Sequence, residues 1–321
     1  MMNHVSRTRP EAPRHNAVSA RWRALFGRKA RKVPLDAGFS CPNRDGTIAT
    51  GGCSFCNAKG SGTGLAPSMG LTAQWVHWRE KLTARWGDVA LVGYLQAFSN
   101  THGPAEKLQA ALGELALFPD LAGLCIGTRP DCLDEEKLDL LARFPVGELW
   151  LELGLQSSNP VALARCARGH GPGEFARAAH EAASRGVKVL AHVMAGLPGD
   201  TPADWDATVD FVNALPVAGI KFHNLYVARG TALERECLAG GLAPPALKDY
   251  ANWVARSVAR LRPEVVVHRL SADPALGELV APAWAGNKRL VHNAVLDEMR
   301  RLDVRQGMGL SRTAQASRSD A

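Results

Sequence analysis

The chain has 321 residues, of which 46% are hydrophobic and 21% charged, and its formal net charge is +7. This length allows one large barrel or two domains, and the composition excludes a wholly disordered chain. The odd count of seven cysteines argues against a disulfide-built secreted protein, and no uncharged apolar stretch approaches the roughly 20 residues that span a bilayer. We therefore expect a soluble, cytoplasmic protein without a membrane partner.

The positive charge lies at the two ends of the chain. Residues 1–32 contain nine Lys or Arg and one acid, whereas acids outnumber Lys and Arg by four across residues 33–299. The simplest interpretation is a pair of solvated tails, and the alternative is contact of the N-terminal arm with RNA or another phosphate-bearing partner. We predict a disordered basic arm over residues 1–17 and a flexible tail over residues 311–321.

Between these ends, apolar strand-like runs alternate with helical patterns, which is typical of parallel βα units. Trp22, Leu25 and Phe26 form the apolar face of a short first helix. Strands are predicted over 33–37, 89–98, 121–127, 148–155, 187–195, 219–227 and 265–270. Helices are predicted over 71–86, 104–118, 133–144, 172–185, 231–239, 246–261 and 287–304, with another that begins near Pro202. The first six strand–helix repeats are compatible with either a partial barrel or a doubly wound sheet. We predict a core domain over residues 18–240 and a C-terminal α/β extension over 241–310.

Three of the cysteines lie in one glycine-rich loop, residues 38–64. Eleven residues separate Cys41 from Cys53, and two separate Cys53 from Cys56. Thiolates at such spacings suit zinc or an iron–sulfur cluster, and three free or buried thiols are the plainer alternative. A structural zinc site usually has four protein ligands, but this loop contains no fourth Cys or His. The set therefore favours a cluster with one iron open to another ligand.

Polar side chains follow or interrupt the predicted strands. In parallel α/β folds the carboxyl ends of the strands meet at one face, so these side chains are expected to share a cavity with the cysteine loop. Glu152 lies within an apolar run, where a buried carboxylate needs a partner. That partner is either an arginine in the core or the hydroxyl groups of a ligand. The polar segments are 96–101, 127–132, 152–157 and 223–224, together with His192.

Seven short segments together resemble the radical S-adenosylmethionine (radical SAM) enzymes. They lie at 36–46, 52–57, 127–131, 152–156, 168–170, 196–199 and 268–270, and span nearly the whole predicted folded part. The spacing of the cysteines is similar to that of the YhcC-like branch, which is related to the radical SAM domain of the Elongator catalytic subunit. The resemblance implies a partial (β/α)6 barrel of the TIM type with a C-terminal extension.

The resemblance also implies two cofactors. Cys41, Cys53 and Cys56 would hold a 4Fe–4S cluster whose open iron binds S-adenosylmethionine, and one electron would cleave that cofactor to a 5′-deoxyadenosyl radical that attacks the substrate. The implied cofactor contacts are Phe55 near adenine, Ser99 and Asn100 near the methionyl amino group, Glu152 with Gln156 at the ribose, Arg168 at the methionyl carboxylate, and Gly196 and Leu197 along adenine. A reductase, flavodoxin or ferredoxin would supply the electron.

The resemblance leaves the substrate open. Elongator's subunit also carries an acetyltransferase domain, and this chain is not long enough to contain one. A tRNA substrate would therefore rest on analogy alone. Two alternatives from other classes are an iron–sulfur electron carrier or redox sensor that never cleaves the cofactor, and a zinc-stabilised RNA-binding protein that uses the basic arm.

Overall fold

The computed structural model describes residues 12–60 and 67–310. Seven strands form one parallel sheet: β1 (Ala30–Leu35), β2 (Ala90–Leu95), β3 (Leu121–Thr128), β4 (Leu149–Gln156), β5 (Lys188–Ala195), β6 (Gly219–Asn224) and β8 (Val266–Arg269). They are hydrogen-bonded in that order. Two short strands, β7 (Val227–Ala228) and β9 (Leu279–Ala281), form a separate antiparallel pair. The large sheet curls into a half-barrel, which confirms the predicted partial barrel.

Helices follow most of these strands. They are α1 (Val18–Phe26), α2 (Leu71–Trp86), α3 (Ala105–Leu115), α4 (Glu135–Ala142), α5 (Pro160–Arg165), α6 (Pro172–Ser184), α7 (Pro202–Ala214), α8 (Ala232–Leu238), α9 (Leu247–Arg260) and α10 (Lys288–Arg301). The predicted α2 has the observed bounds, and α7 begins at Pro202 behind the side-chain cap of Thr201. In the part of the chain that the structure describes, no helix is both long and apolar enough to cross a membrane.

Three elements differ from the sequence prediction, one of which is the unpredicted strand β9. The strand predicted over 219–227 ends at Asn224, and Val227 pairs with β9 instead of continuing the sheet. The short helix α5 was not predicted, because six residues carry too little periodicity to reveal a helix.

Side chains along each strand alternate between the helix-covered outer face and the barrel interior. In β4, Leu151, Leu153 and Leu155 pack in the main core, whereas Trp150 and Glu152 point inward. The inward-facing side chains form two layers along the barrel axis. The layer nearer the amino-terminal ends of the strands is largely apolar, and the layer nearer their carboxyl ends is polar. The apolar layer contains Trp22, Val92, Cys125, Trp150, Leu190 and Val266, and the polar layer contains Lys32, Tyr94, Glu152, His192 and Lys221.

The region predicted as a C-terminal extension contributes directly to the barrel. Its strand β8 pairs in parallel with β6, and its helix α9 packs between α7 and α10. Residues 12–17 also pack on this region: the Asn16 carbonyl accepts from the Val267 N–H at 2.8 Å, and Arg14 Nη1 donates to the Val304 carbonyl at 3.2 Å. Disorder is therefore wrong for residues 12–17 of the predicted arm. Residues 1–11, 61–64 of the predicted cysteine loop, and 311–321 lie outside the described residues.

Glu148 ties α1 to the amino-terminal end of the barrel. Its carboxylate accepts hydrogen bonds from Arg21 Nε at 2.8 Å, Lys188 Nζ at 2.6 Å, and the indole N–H groups of Trp22 and Trp150. The side chain is fully buried. Burial opposes ionisation, but the bonds from Arg21, Lys188 and Trp150 outweigh it and lower the pKa of Glu148 to about 2.

We predict that Glu148→Gln lowers the free energy of unfolding by about 2 kcal/mol at pH 7, because it removes the counter-charge of two cations that are themselves one-third exposed. Since the folded pKa lies below the usual carboxyl value, the wild-type advantage is complete at neutral pH and disappears as pH falls through about 2. Urea unfolding measures the change. Glu80→Gln, at an exposed position of α2, is the control and should change little; equal stability of wild type and Glu148→Gln would contradict the assignment.

Candidate active site

A cavity of about 350 Å³ opens at the carboxyl ends of the strands. Its wall brings together residues from the loop after β1, from β2 to β6, and from the segment after β8. Seven of the eleven residues predicted as cluster ligands or cofactor contacts line it: Cys41, Cys53, Phe55, Cys56, Glu152, Gln156 and Arg168. These residues are spread over more than a hundred positions of the chain, so the fold creates the shared site that the strand-end pattern predicted.

The cysteine loop is folded on itself by backbone hydrogen bonds. The Arg44 N–H donates to the Cys41 carbonyl at 2.8 Å, the Gly52 N–H to the Asn43 carbonyl at 2.7 Å, and the Cys56 N–H to the Cys53 carbonyl at 2.9 Å. Gly52 adopts a φ of +74°, and a Cβ there would lie 2.9 Å from the Arg44 guanidinium. A side chain at position 52 would therefore strain the backbone and displace Arg44.

Two N–H donors converge on the sulfur of Cys53. Asn43 Nδ2 lies 3.4 Å and Arg168 Nη1 lies 3.5 Å from Cys53 Sγ. Arg168 Nη2 also donates to the Gly154 carbonyl at 2.8 Å, which ties the loop to β4. A Cβ on Gly154 would lie 2.4 Å from Arg168 Nη2, so glycine at this strand position makes room for the arginine.

Further arginines surround the cysteines. Arg44 Nη2 donates to the Cys56 carbonyl at 2.9 Å, and Arg129 Nη1 donates to the Arg168 carbonyl at 2.8 Å. Burial raises the pKa of Cys56, and Arg44 offsets part of that effect. A thiol in this setting loses its proton most readily when it binds a metal.

The thiols of Cys41, Cys53 and Cys56 are donors of the kind that an iron–sulfur cluster uses. Within residues 12–60 and 67–310, no three His, Cys, Asp or Glu side chains are grouped closely enough to hold one metal ion. Ligands of a 4Fe–4S cluster bind different irons and need not converge on one point. Three thiols of one loop, with N–H donors on one of the sulfurs, therefore fit an iron–sulfur cluster.

Glu152 lies at the floor of the cavity with both carboxylate oxygens engaged. Lys32 Nζ donates to Oε1 at 2.6 Å, His192 Nε2 lies 2.9 Å from Oε2, and Lys221 Nζ also contacts Oε2. Burial opposes ionisation of the carboxyl, but the two lysines hold the pKa of Glu152 well below its usual value. Its partners are lysines and a histidine, rather than the arginine considered from the sequence.

Four predicted cofactor contacts do not line the cavity. Ser99 bonds the Thr128 hydroxyl at 2.9 Å, and Asn100 Nδ2 donates to the Gly127 carbonyl at 2.8 Å, so both residues brace the ends of β2 and β3. Leu197 is buried in an apolar cluster that includes Phe55. Gly196 has a φ of +89°, and a Cβ there would lie 2.8 Å from a Pro245 side-chain carbon.

Several residues of the cavity wall were not predicted from the sequence to lie there. They are Arg44, Tyr94, Arg269 and Glu278, of which Glu278 contacts Asn57 of the cysteine loop. Arg129 also lines the cavity, as expected for the polar segment 127–132. Arg44 and Arg269 lie inside two of the segments that resemble radical SAM enzymes, and this position was the signal that could have identified them. Tyr94 could have been found from strand alternation, because it lies two positions after the inward-facing Val92.

Backbone strain is concentrated around this cavity. Phe98, Gln156 and Ala167 adopt φ values of 59°, 72° and 51°, a region that residues with a side chain rarely occupy. Phe98 and Gln156 line the cavity, and the Ala167 carbonyl accepts from Asn43 Nδ2 at 2.8 Å. Strained backbone of this kind is typical of functional sites, where the surrounding structure imposes it.

Comparison with known proteins agrees with this geometry. Residues 45–212 match the Radical SAM superfamily and residues 217–301 match the Radical_SAM C-terminal domain. Uncharacterized protein YtqA of Bacillus subtilis is 33% identical over 95% of both chains, and Protein YhcC of Escherichia coli is 36% identical over 82% of this chain and 85% of its own length. A more distant relative, the tRNA uridine(34) acetyltransferase of Dehalococcoides mccartyi, is 30% identical over 47% of this chain and 33% of its own length.

A solved structure shares the fold. The Elp3 protein of the archaeon Methanocaldococcus infernus superposes with a TM-score of 0.64 at 18% identity, covering 75% of this chain and 62% of the archaeal chain. At 18% identity this similarity supports only the fold. The family match and the relatives in Bacillus and Escherichia are similarities of sequence. The chain belongs to the radical SAM superfamily, in its YhcC-like branch, and is an enzyme of that class.

Proposed function

We propose that Cys41, Cys53 and Cys56 hold a 4Fe–4S cluster and that S-adenosylmethionine binds beside it in the cavity. Reductive cleavage of this cofactor would give a 5′-deoxyadenosyl radical that abstracts hydrogen from the substrate. Membership of the superfamily implies both cofactors. The observation that carries the residue assignment is that the three cysteines of one loop line a single cavity together with Phe55 and Arg168.

The protein's own residues would position the cofactor. Arg168 can present its guanidinium to the methionyl carboxylate, because its Nε is buried without a hydrogen-bond partner among the described residues. Gln156 and Phe55 would contact the ribose and the adenine. We assign Glu152 at the ribose a smaller role than the resemblance implied, because its carboxylate oxygens already bind Lys32, Lys221 and His192. Ser99, Asn100, Gly196 and Leu197 would support this pocket from behind its wall.

We predict that changing Cys41, Cys53 or Cys56 to Ala abolishes cluster assembly. Wild-type protein reconstituted without oxygen should contain about four irons and four sulfides per chain, and each variant should lose them. Cys237→Ala, on α8 and outside the cavity wall, is the matched control and should retain the cluster. Stoichiometric zinc without iron in protein purified anaerobically would refute the proposal.

We predict that Arg168→Gln weakens S-adenosylmethionine binding by roughly tenfold or more, the size expected for loss of a charge-assisted hydrogen bond. The iron and sulfide content should not change, because Arg168 is not a metal ligand in this assignment. The reduction potential of the cluster should fall, since one N–H donor to the Cys53 sulfur is lost.

Calorimetry and a potential titration followed by electron paramagnetic resonance measure the two effects. Arg165→Gln on α5 removes an exposed arginine that pairs with Glu236, so this nearby variant should behave as wild type. An unchanged affinity in Arg168→Gln would remove Arg168 from the cofactor site.

The substrate we propose is RNA, with tRNA as the first candidate. One relative is named a tRNA uridine(34) acetyltransferase, and the first 32 residues of this chain carry nine Lys or Arg. Not all of these cations are available to RNA. Lys32 is paired with the buried Glu152, and Arg28 pairs with Asp88, whereas Arg23 and Lys29 are exposed.

We predict that the double variant Arg23→Glu and Lys29→Glu binds tRNA more weakly at about 50 mM salt and has a shallower dependence of binding on salt, because fewer phosphate contacts release counterions. Filter binding over a salt series measures both quantities. Lys248→Glu with Arg289→Glu changes the charge equally at exposed positions of α9 and α10 and should bind as wild type. Equal tRNA retention by all three proteins would favour a small-molecule or protein substrate.

A further inference from the structure

Cationic side chains from three strands lie around the end of the cavity beside β6 and β8. They are Lys32, Lys221 and Arg269, and the buried carboxylate among them is that of Glu152. Asp273 and Glu278 add two further carboxylates to the cavity wall. Burial, opposed by Glu152, lowers the pKa of Lys221 to about 7, with Lys32 and Arg269 acting in the same direction as burial. Lys32 and Lys221 both contact the Glu152 carboxylate, whereas Arg269 does not.

Arg269 is the arginine on the cavity wall that is least engaged by other groups. Asp273 Oδ2 lies 3.8 Å from its Nη2, and the same oxygen is held more closely by Lys288 Nζ at 2.6 Å. The Arg269 side chain is 37% exposed. By contrast, the three other arginines of the wall each make short hydrogen bonds: Arg44 to Cys56, Arg129 to Asp131, and Arg168 to Gly154.

His223 lines the same end of the cavity. Its ring stacks on that of His192 with the centroids 5.0 Å apart, and its Nε2 is buried without a hydrogen-bond partner in the described part of the chain. Burial holds its pKa well below the usual value, so the ring is neutral and can present one N–H. A buried polar atom left unpaired is costly unless a ligand satisfies it.

We propose that Arg269 and His223 bind an anionic oxygen group of the substrate, a carboxylate or a phosphate, at this end of the cavity. The guanidinium can offer two parallel N–H donors to either group, and the imidazole a third donor. Lys221 lies on the neighbouring part of β6 and is paired with Glu152. The inference deepens the proposed function, since it assigns a chemical class to the molecule that the cavity accepts. It uses β6 and the end of β8, whereas Arg168, proposed for the cofactor, follows β4.

Saturation-transfer difference NMR with small probes tests this site on the full chain. The probes are acetate, methylphosphonate and the neutral acetamide, at constant ionic strength, with and without the reconstituted cluster. Acetate or methylphosphonate should receive saturation at least fivefold more strongly than acetamide, and the stronger of the two identifies carboxylate or phosphate as the preferred group. Equal signals from all three probes would overturn the proposal.

Matched variants locate the binding. Arg269→Gln and His223→Phe should each reduce the anion signal severalfold, and Arg269→Lys should reduce it less than Arg269→Gln. Lys248→Gln removes an exposed cation of α9 that is not on the cavity wall, so it should bind as wild type. Circular dichroism melting identifies any variant that fails to fold. The anion signals of the variants that do fold then test whether Arg269 and His223 form the site.

The two proposals fail separately. An unchanged anion signal in folded Arg269→Gln would overturn the anion site, whatever the iron content. Displacement of acetate by saturating S-adenosylmethionine on the cluster-containing protein would assign the site to the cofactor and overturn its assignment to the substrate. Loss of the cluster with anion binding intact would instead refute the proposed function alone.

Discussion

The contact of Arg168 with Cys53 joins the two halves of the site. The cysteine loop follows β1 and has no regular secondary structure over residues 36–60. Its position depends on contacts with distant parts of the chain. Arg168 bonds both the Cys53 sulfur and the Gly154 carbonyl of β4, while the Ser54 N–H donates to the Cys166 carbonyl at 3.0 Å. The segment after β4 therefore holds the loop, and Gly154 is required because a side chain there would occupy the space of the guanidinium.

Glu152 and its partners Lys32, Lys221 and His192 neutralise buried charge in the barrel interior. A barrel interior excludes water, so each charge there needs a partner of opposite sign. Glu152 on β4 meets Lys32 from β1 and Lys221 from β6, which also links strands that are not neighbours in the sheet. Both carboxylate oxygens of Glu152 are therefore engaged by groups of the protein itself. This network stabilises the interior and leaves Arg269, which is not part of it, to face the cavity.

Much of the fold could be predicted from the sequence because its elements are local patterns. The stripe that includes Trp75 and Trp78 predicted α2, and the largely apolar run before Gly196 predicted β5. Pairings between distant residues could not be predicted, since Glu152 is 120 positions from Lys32 and 69 from Lys221. The alternation of side chains along a strand predicts which of them face the barrel interior, but it does not predict which of them contact each other.

The site shows the same division between local and distant information. The three cysteines could be found from spacing alone, and the structure adds that they share a cavity with Phe55 and Arg168. Ser99 and Asn100 were expected to face the cofactor because they follow a strand end. Their side chains instead bond Thr128 and the Gly127 carbonyl, since a sharp turn at Phe98 directs them toward β3. A strand-end position places a residue near the site, and only the local backbone decides whether it reaches the cavity.

The segment after β8 forms one side of the cavity. Glu278 contacts Asn57 of the cysteine loop, and the Arg229 N–H donates to the Glu278 carbonyl at 2.8 Å. Arg269 at the end of β8 and Asp273 of the following segment form part of the wall. The proposed radical chemistry would need a wall that limits the access of water. The region after residue 240 therefore supplies both the seventh strand and one side of the enclosure, so the site depends on the barrel and the C-terminal region together.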